Sequence, residues 1–160
     1  MHTLTWTKEM ELGHPRIDAE HRRLVELAAV IESAFESGKA PDRIQEHCRS
    51  FYRYLVTHCV YEERLLQILP RAAYGAQVDD HRRGHDRLIR EARALSDGTL
   101  PSGYDSLKAF SSAYFDLLRD LLVDDSELIG VLIREGHLSL APAGQPRPPA
   151  PNIAPPPATV

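Results

Sequence analysis

The amino-acid sequence predicts an all-α protein: an antiparallel up-and-down four-helix bundle with an amino-terminal arm and a disordered proline-rich carboxy-terminal tail. Three observations lead there. Apolar residues recur at alternating intervals of three and four in four separate segments, clusters of turn-forming residues divide those segments, and no stretch shows the period-two alternation of a half-buried strand.

The first segment runs Ile17, His21, Leu24, Ala28, Ile31 and Phe35, with Asp18 as its expected cap. The second runs Ile44, Cys48, Phe51, Leu55, His58, Glu62, Leu65 and Leu69. In the third, Val78, His81, His85, Leu88, Ala92 and Leu95 form the apolar seam of a segment whose other positions are mostly charged. The fourth carries Leu107, Phe110, Tyr114, Leu117, Leu121, Leu128 and Leu132, and its seam crosses Asp124 or Asp125. Turns are expected at Gly13 to Pro15, Ser37 to Pro41, Pro70 to Gly75 and Asp97 to Gly103.

Eight of the 12 prolines fall between Pro142 and Pro157, so residues 139–160 are read as a tail and residues 1–138 as the bundle domain. Within the tail, PRPPAP at Pro146 to Pro151 offers a polyproline segment for docking, although a spacer is the plainer reading. With 160 residues, 42% of them hydrophobic, there is material for one core. No apolar run approaches the roughly 20 residues that span a bilayer. The first ten residues lack the build of a signal peptide, and a cytoplasmic location is expected. A net charge of -4 leaves no basic surface for nucleic acid, since Arg22, Arg23, Arg82 and Arg83 have acidic neighbours. Cys48 and Cys59, 11 residues apart on one helix, are separated by about 16 Å and cannot pair. The chain is expected to be a monomer or a weak homo-oligomer.

The seams carry the chemistry. A charged Glu62 among apolar residues costs several kcal/mol of desolvation unless positive charge meets it. No lysine or arginine lies on any seam, whereas four histidines do, so a bound cation is the partner that balances Glu62 and Asp125. Residues four apart on a helix stand one above the other. His58 with Glu62, and His81 with His85, therefore offer paired ligands, and His21 adds another. Imidazole with carboxylate suits iron, manganese or zinc, and inward carboxylates from several helices favour two ions over one. His47 is too far along its helix to join, His2, His14 and His137 belong to the arm or to helix ends, and Glu20 and Glu63 are read as solvent-facing or as supports behind the ligands.

Trp6, LGHPRIDAEH from Leu12 to His21, HCVYEE from His58 to Glu63, and the pair His81 and His85 together resemble the bacterial hemerythrins, over about residues 1 to 135. The resemblance implies two non-haem iron ions and dioxygen as ligand. It assigns His21 and His58 to one iron, His81 and His85 to the other, and Glu62 and Asp125 to both as bridges. It also implies that Trp6 and Met10 pack over the bundle.

The family's fourth helix carries a histidine where this chain has Asp120. The oxygen pocket would be walled by Leu117 and Leu121, with Cys59 and Asp116 standing where the family has aromatic residues. An anionic oxygen at Asp120 would stabilise ferric iron, and Asp116 and Cys59 would make the pocket more polar. The resemblance therefore points first to a dioxygen-binding protein for sensing, storage or delivery. Its rivals are an oxidase, peroxidase or ferroxidase built on the added carboxylates Asp120 and Asp116, and an interaction module with a degenerate metal site.

Overall fold

The computed structural model describes residues 5–99 and 105–139, apart from the side chains of Ser106 and Leu121. All regular structure in these residues is helical. Helix α1 spans Pro15–Glu36, α2 spans Pro41–Leu66, α3 spans Arg71–Asp97 and α4 spans Ser106–Arg119. A π-helical turn, Asp120–Asp124, carries α4 without a break into α5, Asp125–Arg134. α1 packs on α2, α2 on α3 and α3 on α4, and a contact between α1 and α4 closes the bundle. No helix among the described residues is long and apolar enough to cross a membrane.

Local chemistry sets these limits. Pro15 and Pro41 open α1 and α2, where a missing N–H leaves nothing unsatisfied. α1 starts earlier than its sequence implies: His14 is the cap, its Nδ1 accepting from the Ile17 N–H at 3.3 Å. Asp18 is inside the helix and only 3% exposed. Its carboxylate turns back to accept from the N–H groups of Leu12 at 2.7 Å and Gly13 at 3.1 Å, so it ties the arm to α1 rather than capping it.

α3 likewise begins directly after Pro70 and absorbs Gly75, which lies buried within it, so the expected turn is confined to its first residue. It is closed by Gly98, whose φ of 66° lets its N–H return to the Ala94 carbonyl. Asp105 caps α4 by accepting from the N–H of Leu107 at 2.9 Å.

The apolar interior comes in two parts. One, built on Leu24, Phe51, Leu55, Leu88, Phe110 and Leu117, fills the half of the bundle nearer the α1–α2 turn. The other, built on Ile17, Leu66, Val78, Ile129 and Leu132, fills the opposite half. The fully buried side chains of each are worth roughly 1.5–3 kcal/mol apiece when removed from water. His21, His58, Glu62, His81, His85, Asp120 and Asp125 occupy the layer between them, all buried. Trp6 packs against the first cluster, and its ring meets His21 edge-on at 6.2 Å between centroids. At the far end, Leu138 folds back on the second cluster, and the Tyr74 hydroxyl donates to Glu135 at 2.8 Å. Residues 140–160, with nearly all of the proline tail, lie outside the described residues.

Candidate metal centre

Each seam delivers its polar residue to this layer by helical spacing. α1 contributes His21; α2 contributes His58 and Glu62 one turn apart; α3 contributes His81 and His85, also one turn apart, with ring centroids 4.2 Å from each other. The fourth helix requires a different device. Residues five apart on an α-helix point about 140° away from each other, so Asp120 and Asp125 could not both face inward on a regular helix. The π turn resolves this, because the Asp125 N–H bonds the Asp120 carbonyl and the wider turn places both carboxylates inside. Asp124, the other candidate left by the seam, turns outward towards Arg119, 4.0 Å from its Nε.

The donors fall into two groups that share Asp125. His21, His58 and Asp125 form one; Glu62, His81, His85 and Asp125 form the other. Asp125 gives a different oxygen to each: Oδ2 lies 3.0 Å from His21 Nε2, and Oδ1 lies 3.5 Å from His81 Nε2. Glu62 Oε2 is central, 3.5 Å from Nε2 of both His81 and His85 and 3.6 Å from His58 Nε2. Asp120 stands at the edge of the second group, with Oδ2 3.4 Å from His85 Nε2 and Oδ1 3.9 Å from His81 Nδ1.

These atoms lack ordinary partners. His21 Nε2, His58 Nε2, His81 Nε2, His85 Nε2, both oxygens of Glu62 and of Asp125, and Asp120 Oδ2 are buried without a hydrogen bond. So many orphaned lone pairs facing one another is prohibitive in a dry interior and satisfied by cations, since every one of these atoms is a metal-ligand type. The donor set therefore fits metal.

The electrostatics of the protein alone agree. Burial pushes the Asp125 carboxyl well above the ordinary range, and the charges of Glu62 and Asp120 push it further. Glu62 is opposed by burial too, but the facing imidazoles of His81 and His85, each 3.5 Å away, outweigh that and hold it well below the ordinary carboxylate range. Burial, then the neighbouring His58, depresses His21, which stays neutral and able to offer a lone pair. Burial opposes the charged form of His85 as well, but Asp120, Cys59 and Glu62 prevail and raise it.

Two further carboxylates support the histidines. Glu20 is 1% exposed and its Oε2 accepts from His58 Nδ1 at 3.1 Å. Glu63 Oε1 accepts from His85 Nδ1 at 3.2 Å. The sequence left both open between solvent and support; the Arg16 to Glu20 spacing of four and the placement of Glu20 and Glu63 beside ligand positions were the available signals.

Of the residues expected to wall a pocket, Leu117 and Cys59 are both buried. Burial pushes the pKa of the Cys59 thiol up. Asp116 is partly exposed and faces Arg87, 3.8 Å from its Nε. The Leu121 side chain lies outside what is described.

The chain matches the model of the hemerythrin HHE cation binding domain over residues 12–125. No curated protein and no solved structure matches the chain.

Proposed function

Because the chain belongs to the hemerythrin HHE cation-binding family, we propose that its metal-binding site holds two non-haem iron ions and binds dioxygen, for oxygen or redox sensing, storage or delivery. His21 and His58 would hold one ion, and His81, His85 and Asp120 the other, with Glu62 and Asp125 shared between them. Leu117, Leu121, Cys59 and Asp116 would border the ligand pocket. The observation that carries this reading is Asp125, whose two oxygens face different histidine groups while Glu62 lies within 3.6 Å of His58, His81 and His85. Such a pair of ions, when bound, supplies the electrons that a dioxygen ligand takes up.

The residues of this chain supply the rest. The imidazoles and the two shared carboxylates would hold the ions, and the apolar halves of the bundle would keep bulk water from them. The reading includes an antiparallel order of the helices, supported by connections of four residues after Glu36 and after Leu66. It also includes a cytoplasmic location, in keeping with two buried free thiols.

A second reading, turnover of oxygen or peroxide or oxidation of ferrous iron, is favoured by Asp120 alone. Its Oδ2, 3.4 Å from His85 Nε2, presents an anionic oxygen where the resembled family has a neutral nitrogen, and this stabilises the ferric state. Anaerobic loading with ferrous iron, elemental analysis, and optical spectra before and after air separate the two. Near two irons per chain and a reversible spectral change support dioxygen binding. Irreversible bleaching with sustained oxygen or peroxide consumption supports the enzyme. Less than one iron per chain rejects both.

A further inference from the structure

We propose that Glu20 and Glu63 are positioning residues that tether one imidazole of each ion independently, so that loss of either carboxylate loosens one ion and spares the other. The proposal rests on the two-ion reading above.

The two arrangements repeat each other. Glu20 Oε1 accepts from Arg16 Nε at 2.8 Å and its Oε2 accepts from His58 Nδ1 at 3.1 Å. Glu63 Oε2 accepts from Arg82 Nε at 3.1 Å and its Oε1 accepts from His85 Nδ1 at 3.2 Å. In both, an arginine at the bundle surface holds one oxygen and a buried histidine takes the other. An ionised carboxylate only accepts, so Nδ1 must carry a proton, which leaves Nε2, the atom that faces Glu62 in each case, as the nitrogen that can offer a lone pair to a metal. The carboxylate thereby fixes both tautomer and ring direction.

The remaining histidine of each group lacks such a tether. His21 Nδ1 and His81 Nδ1 are buried without a hydrogen bond. Each ion would thus have one imidazole fixed by a hydrogen bond at Nδ1 and one that is not, Asp120 Oδ1 standing 3.9 Å from His81 Nδ1. Because the tethers arise from different helices, Glu20 from α1 and Glu63 from α2, and share no residue, disturbing one leaves the other intact. They differ in shelter. Glu20 is 1% exposed and its Arg16 lies over the Tyr61 ring at 3.4 Å, whereas the Glu63 side chain is 26% exposed. The drier tether should matter more.

The test uses the full chain loaded anaerobically with ferrous iron, then challenged with a competing chelator. Wild type should retain two irons. Glu20→Ala and Glu63→Ala should each release one iron about 10–100-fold faster than wild type, Glu20→Ala more so, while the second iron leaves at nearly the wild-type rate. Glu20→Gln and Glu63→Gln, which keep an oxygen to accept from Nδ1–H, should recover much of the loss and cover the case of a misfolded alanine variant.

Pairing each with His21→Ala locates the effect. Glu20→Ala should add little to His21→Ala, since both act on one ion, and Glu63→Ala should add its full effect. A merely structural role would lower the melting temperature of metal-free and iron-loaded protein alike, whereas a positioning role shrinks the gain that iron brings. Wild-type release rates in all four single variants, or equal additivity of both carboxylates with His21→Ala, overturn the proposal. Fewer than two irons in wild type overturns the two-ion reading itself, and the proposal with it.

Discussion

Asp120 and Asp125 face the same interior although five residues separate them, because the Asp125 N–H bonds the Asp120 carbonyl across a π turn. The extra residue in that turn is what admits a second inward carboxylate on the fourth helix. Inserting an alanine after Val123, whose side chain is 55% exposed, would leave the two aspartates six residues apart and should rotate Asp125 or Asp120 by about 100° out of the layer. Helical circular dichroism should persist while bound metal falls by at least one equivalent. Undiminished metal content would show that the spacing set by the π turn is dispensable.

Asp120 can be tested by chemistry rather than by register. Asp120→His restores the neutral nitrogen of the resembled family next to His85, so the iron-loaded variant should hold its metal at least as well and show slower loss of the air-induced spectrum. Asp120→Ala should weaken metal retention about 10-fold or more. If Asp120→Ala holds metal like wild type, Asp120 is not a ligand.

The three-four pattern announced all four helices and put His21, His58, Glu62, His81 and His85 on inward faces, because each of those helices is regular through the layer. It could not choose between Asp124 and Asp125, since the choice depends on a π turn that a spacing of three and four does not encode. Asp18 misled for a related reason. An aspartate ahead of an apolar stripe reads as a cap, whereas here it bonds backbone groups that precede it, a contact that depends on how the arm returns over α1. Glu20 and Glu63 were legible only as charged residues beside ligands; their partners His58 and His85 lie 38 and 22 residues away.

In the metal-free protein the raised Asp125 and the lowered His21 give opposite pH slopes. A carboxyl whose folded pKa lies above its ordinary 3.8 keeps its proton longer in the folded state, so its contribution is complete below that value and is lost as pH rises through the folded pKa. A histidine depressed from 6.5 takes its proton first in the unfolded chain, so stability falls as pH drops below 6.5. Asp125→Asn removes the first contribution. Without metal it should melt higher than wild type at pH 7, by about 2–4 °C for each kcal/mol recovered, with an advantage that shrinks towards pH 4. With iron present the order should reverse, since the shared carboxylate is gone. A metal-free Asp125→Asn that melts below wild type at pH 7 would contradict the raised carboxyl.

Asp18 offers a test of the arm. Its carboxylate receives the Leu12 N–H at 2.7 Å and the Gly13 N–H at 3.1 Å while 3% exposed, and hydrogen bonds to a charged group of this kind contribute about 1.5–3 kcal/mol each at most. Asp18→Ala should therefore lower the melting temperature and free the arm that carries Trp6. As the protein's single tryptophan, Trp6 reports this directly. Its emission should shift to the red as the ring leaves the first apolar cluster, and its quenching by bound metal through the neighbouring His21, 6.2 Å away, should weaken. Asp18→Asn retains an acceptor oxygen for one of the two N–H groups and should fall between. Unchanged emission in Asp18→Ala would mean that packing alone seats Trp6 and that the tie from Asp18 to the arm adds nothing to it.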